Sequence, residues 1–145
     1  MALPPSAYQQ WKASAPDVAV IEVLSTNTES GTTETEGTSV QLRRTHIVVD
    51  AEAQVLSVER TAGALSAGAT IHIRYTHRPL RAERMENGEW KPTQMVGASP
   101  IPLLEKGDKV TAWLRATSDG AYEPAAEAES FAVVVAPPEP ATKTD

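Results

Sequence analysis

The chain has 145 residues, no cysteine, three histidines and a formal charge of −6 at neutral pH. That length suits one domain, which can bury enough surface to fold without a metal or a disulfide. The missing cysteines exclude disulfide scaffolds, Cys-ligated zinc and thiol chemistry, and the acidic balance argues against general nucleic-acid binding.

The start, Met1-Ala2-Leu3-Pro4-Pro5, has neither the basic head nor the apolar core of a signal peptide. The expectation is a protein of the periplasm or the extracellular space whose signal has been removed. No stretch approaches the apolar length of a membrane span. Residues 6–14 predict a short helix capped by Ser6, with Tyr8 and Trp11 three apart on one face. Pro16 ends it. Residues 17–25, rich in Val and Ile with Glu22 inside, predict a central strand covered on both faces.

Residues 25–39 hold only Ser, Thr, Asn, Glu and Gly. Such a segment buries no apolar area, so it reads as a mobile loop. A binding loop and a two-stranded ribbon turning at Gly31 or Gly37 are the other readings. Residues 40–60 carry one long strand signal, through Val40, Leu42, Ile47, Val49, Val55 and Val58. Its length predicts a bend or bulge near Asp50-Ala51-Glu52. Residues 69–77 alternate, with Ile71, Ile73 and Tyr75 on one face and His72, Arg74 and Thr76 on the other.

Residues 80–100 contain Asn87-Gly88, a strong hairpin signal, although residues 80–86 also suit one or two helical turns. Residues 105–108 predict a turn, and residues 109–117 a strand with Val110, Ala112 and Leu114 facing inward. A turn at Ser118-Asp119-Gly120 and a last strand over residues 130–135 follow. Residues 136–145 read as a disordered tail. The expected fold is all-β: a five-stranded OB-like Greek-key barrel over residues 1–135, with a long bent second strand and a short N-terminal helix in residues 1–16.

Three phrases carry a resemblance. They are Val55-Leu56-Ser57-Val58-Glu59-Arg60 leading to Ala69-Thr70-Ile71-His72-Ile73, Ile101-Pro102-Leu103-Leu104 leading to Val110-Thr111-Ala112-Trp113-Leu114, and Tyr122-Glu123-Pro124 leading to Ser130-Phe131. Their order resembles the OB-fold of netrin-like domains and tissue inhibitors of metalloproteinases, over roughly residues 17–135. The chain also resembles small bacterial exported proteins of this kind. The resemblance speaks to fold more than to activity. The inhibitors reach the catalytic zinc with an N-terminal cysteine, which has no counterpart here, so inhibition by that route is not implied.

Three features bear on function. Arg74, Arg78, Arg81 and Arg84, with His72 and His77, form a basic block near Arg43 and Arg44, which reads either as an anion or acidic-partner site or as a solvated face paired with the protein's own acids. Trp90 and Trp113 are candidate interaction anchors, unless the helix covers Trp113. His46 and His72 become neighbours if their strands pair that way, but no histidine spacing marks a metal site. No nucleophile motif, phosphate loop or zinc-protease motif occurs. The expectation is a non-enzymatic binding module without a cofactor. Its partner is a protein or peptide, with no nucleic acid and no membrane span, and a homodimer is compatible. Its candidate residues are Arg74, His77, Arg78, Arg81, Arg84, Trp90 and Trp113. The alternative is a small-ligand or carbohydrate site formed by loops 25–39 and 80–100.

Overall fold

The structure is a computed structural model that describes residues 5–36, 41–63, 65–94 and 99–134. The element order is helix α1 (Pro5–Ser14), β1 (Asp17–Glu36), β2 (Gln41–Arg60), β3 (Thr70–His77), β4 (Arg81–Glu86), β5 (Glu89–Gln94), β6 (Lys109–Ala116), β7 (Tyr122–Pro124), a 3-10 turn (Glu127–Glu129) and β8 (Phe131–Val133). The chain is therefore mostly β, with one short α-helix among the described residues. The described residues hold eight strands, not five. Residues 81–94 add a hairpin, and residues 122–124 add a short strand before the last one.

Five strands close on themselves. β1 pairs with β2, β2 with β3, β3 with β7, β7 with β6, and β6 with β1. All contacts are antiparallel except β3–β7, a single parallel pair at Ile73 and Tyr122. β7 and β8 lie along one edge of β6, at residues 114–116 and 110–112. Between them the chain loops out. Trp113 still bonds to both sides of this gap, donating to Ser130 O and accepting from Ala125 N.

The ring interior is filled by alternate residues of each strand. Ile21, Val23, Val49, Val55, Ile73 and Leu114 are fully buried there, with Ala19, Ala51, Ala53 and Ala112 between them. Register sets small against large: Ala51 lies opposite Ile73, and Ala53 opposite Ile71. Leu65 and Leu104 from connecting segments join the same core. The inward alternation expected for residues 71–75 and 110–114 holds.

One irregularity falls at the expected place, beside Glu52, and two fall further along β2. Leu24 is the extra residue in β1, facing the step between Glu52 and Ala53. Leu56 and Glu59 are extra residues in β2. The two later positions have a physical cause: a bulge goes where the register must change phase. Val55 is buried and Val58 half-buried, so the insertion at Leu56 keeps both apolar side chains inward. Leu24 and Leu56 are exposed in consequence.

Helix α1 lies against the β2 end and β6. Arg60 donates to the carbonyls of Ala15 and Lys12, which orients the last turn. Tyr8 and Trp11 form an edge-to-face pair 5.6 Å apart. Trp113 packs with Ala15, Val18 and Ala125, and Lys12 Nζ sits 4.6 Å from its ring centre. The helix thus covers Trp113 in part.

Asp17 is the buried carboxylate of this end, 2% exposed. Its Oδ1 accepts from Thr61 Oγ1 at 2.8 Å and from Ala62 N at 3.0 Å. Thr61 in turn accepts from the backbone of Gly63 and Leu65, so the network fixes the loop that inserts Leu65. Asp17→Ala removes two charge-assisted bonds and is expected to lower stability by about 1–3 kcal/mol in urea denaturation. A loss below the precision of that measurement would show that this network does not hold the loop.

Candidate binding surface on the sheet arm

The ring uses only the first part of β1. Its pairing with β6 ends at Glu22, while its pairing with β2 continues to Glu36. β4 pairs with β2 at residues 42–44, and β5 pairs with β4. Residues 26–36, 41–48, 81–86 and 89–94 therefore form a four-stranded arm standing beyond the ring. The ribbon reading of residues 25–36 is the one the structure adopts, and the mobile-loop reading is corrected. Threonine explains it: Thr28, Thr32, Thr33 and Thr35 are β-branched and satisfy a strand without an apolar face. Gly31 is paired with His46, so the ribbon does not turn there, and residues 37–40, where the other expected turn at Gly37 falls, lie outside the described residues, as does the tail.

The second hairpin is built by Asn87-Gly88. Both residues have positive φ, 53° and 80°, as a two-residue hairpin turn requires. The helical alternative for residues 80–86 is not adopted. Across this hairpin Met85 lies opposite Trp90. On β2, Arg43 directs Nε and Nη2 at Glu83 Oε1, 2.8 Å and 2.7 Å away, and its guanidinium lies 4.3 Å from the Trp90 ring centre. Trp90 is thus a stacking platform for Arg43, half-buried by it.

The basic block does not stay together. Arg74 points outward from the ring and donates to Asp50 at 3.1 Å and Asp119 at 2.6 Å. His72 also bonds Asp50, at 3.0 Å. Hydrogen bonds from His72 and then Arg74 hold the Asp50 carboxyl below the usual carboxylate range, against the opposing effect of burial. The Thr117 hydroxyl and the Ala121 N–H do the same for Asp119, with Arg74 adding to them. Arg84 pairs with Glu86 at 3.1 Å. His77 is structural: its Nδ1–H donates to Ile101 O at 2.6 Å. Trp113 sits beneath α1, away from the arm.

Two members of the block stay uncompensated. Among the described residues, Arg78, Arg81 and their neighbour Arg44 have no carboxylate within ion-pair distance. Arg81 lines a groove of about 600 Å³ with Arg43, Thr45, Glu83, Pro92 and Gln94. Arg78 lines a second pocket of about 230 Å³ with Thr33, Arg44, Thr45 and His46. His46 and His72 are not neighbours. His46 faces Gly31 and His72 faces Glu52, six positions apart along β2 or roughly 20 Å. Among the described residues no group of three or more His, Asp or Glu is placed to hold a metal ion. No described helix is long and apolar enough to cross a membrane.

No family model, no curated protein and no solved structure matches the chain. The site therefore has to be read from its own chemistry. That chemistry is a sheet arm with two concave, cation-lined surfaces, one on β2, β4 and β5 and one where β1, β2 and Arg78 meet.

Proposed function

We propose that the chain is a non-enzymatic binding module, acting outside the cytoplasm, whose ring is an OB-type barrel and whose arm engages a protein or peptide. The five-strand closure with a long, bulged second strand supports the barrel reading. One observation carries the binding reading. Among the described residues, β1 beyond Val23 pairs with β2 alone, so residues 24–36 have one edge that no described strand covers. Unpaired N–H and C=O groups in a row accept an incoming extended segment as a further strand. Among the described residues Arg78, next to Thr33 of this strand, and Arg81, on β4 of the same arm, supply uncompensated charge.

The groove of about 600 Å³ favours a second reading, a small-ligand or carbohydrate site, because it falls within the size range of such sites. Affinity capture from source-organism extract, with cross-linking, separates the two. A partner cross-linked to residues 24–36 or 78–94, with capture reduced about tenfold by Arg78→Ser/Arg81→Ser, is the expected result. An empty capture, together with a small molecule or sugar that raises the melting temperature, would replace this reading with the second.

A further inference from the structure

The pocket on Thr33, Arg44, Thr45, His46 and Arg78 has an unusual lining for an acidic protein. It holds two guanidinium groups, one imidazole and two hydroxyls, and no carboxylate. Every one of these side chains can donate a hydrogen bond. A surface in which every side chain can donate, two of them permanently charged, and none is a carboxylate suits an anion.

Two of the donors, Arg44 and His46, are also held in place. Arg44 Nε donates to Pro79 O at 3.0 Å and Nη2 to Arg78 O at 3.3 Å. These bonds fix the guanidinium plane with neutral carbonyls, so its positive charge remains uncompensated, and Nη1 has no protein acceptor among the described residues. The same bonds fix the backbone that carries Arg78. His46 Nδ1 is hydrogen-bonded to Thr33 Oγ1 at 3.2 Å, which sets the ring orientation.

Gly31 is a separate sign of a built site. It lies mid-strand, where glycine is weakening. A Cβ added there would come within 2.6 Å of His46 Nε2 and 2.7 Å of Cε1. Glycine at this position is what lets the imidazole lie across β1, in the lining of the pocket. The volume of about 230 Å³ holds a compact oxyanion and is below the usual range for organic ligands.

We propose that this pocket binds a tetrahedral oxyanion of the phosphate class, presented by the partner as a monoester, on Arg44, Arg78 and His46. Its source rests on the reading of the arm as a partner surface. The site itself does not. Titration of the full chain with inorganic phosphate, followed by NMR of the His46 ring and the arginine Nε–H groups at matched ionic strength, tests it. The expected result is a saturable shift at His46, Arg44 and Arg78. Binding is expected to weaken about tenfold or more in Arg78→Gln. That side chain is exposed and makes no hydrogen bond among the described residues, so the variant folds. Gly31→Ala, which pushes the His46 ring aside, is expected to weaken it similarly, while Arg115→Gln on the ring, whose partner is Glu123, leaves it unchanged. No saturable shift, equal binding of acetate, or full binding by Arg78→Gln would overturn the site. Partner capture that resists both excess phosphate and Arg78→Gln would overturn the pocket's role in the partner contact and leave the arm reading intact. Phosphate binding without any captured partner would sustain the site and remove the arm reading.

Discussion

Ile73→Ala is expected to destabilise the chain by about 2–5 kcal/mol, a large part of the roughly 5–15 kcal/mol available to a domain. Ile73 is fully buried at the centre of β3. It faces Ala51 on β2 and Tyr122 on β7, and the second of these is the single parallel contact that closes the ring. Truncation leaves a cavity that Ala51 is too short to fill. The backbone around it cannot relax inward, because β3 is held by β2 along its whole length. Ile73→Val removes one methylene and is expected to cost about 0.5–1.5 kcal/mol. Urea denaturation of both variants checks the pair. A cost below about 1 kcal/mol for Ile73→Ala would mean that the ring interior collapses freely, and the packing described here would be wrong. The arm lies away from this cavity, so variant protein kept folded at low temperature should retain phosphate binding.

The parts of the fold that were legible are those whose own side chains carry a period. Ile71, Ile73 and Tyr75 alternate against solvated partners, and so do Val110, Ala112 and Leu114. Asn87-Gly88 marks its hairpin because few other residue pairs accept two positive φ values. Residues 26–36 carry no such period. Both of their faces are solvated, and what makes them a strand is pairing with residues 41–51. β7 is three residues long, and although it pairs with β6 it closes the ring through one contact with a strand about fifty positions away, which no local pattern announces. The bulges answer to register, which composition does not express. The site was legible as a block of arginines, but its partition was not. Strand alternation sends Arg74 outward to Asp50 and Asp119, while the connection after β3 turns Arg78 towards Arg44. Arg44 and His46 enter the pocket through register alone. The one local signal for it was a glycine within a threonine-rich strand.

Tyr75→Phe isolates a single oxygen at the opposite edge of the core. The hydroxyl donates to Pro102 O at 2.7 Å and accepts from Leu104 N at 2.9 Å. It ties down the segment that inserts Leu104, which is 4% exposed. The phenylalanine ring keeps the packing against Phe131, whose centre lies 5.6 Å away, so the variant tests the hydrogen bonds rather than volume. Leu104 N is left buried without an acceptor, and the expected loss is about 1–3 kcal/mol. Amide exchange at Leu104 should quicken. Exchange near Ile101 should change less, because His77 still binds that carbonyl. The pH dependence gives a second readout. Burial pushes the Tyr75 hydroxyl from its ordinary 10.0 up to about 12. A folded value above the unfolded one means that the native state holds this proton more tightly. The resulting stability is fully present below pH 10 and is lost as the pH rises through about 12. Wild type should therefore lose stability more steeply than Tyr75→Phe across that window. Some slope should remain in the variant, because burial also raises Tyr122. Parallel pH profiles for the two proteins would show that the Tyr75 hydroxyl is not held in a buried bond. The tie between β3 and residues 101–104 would then need another source.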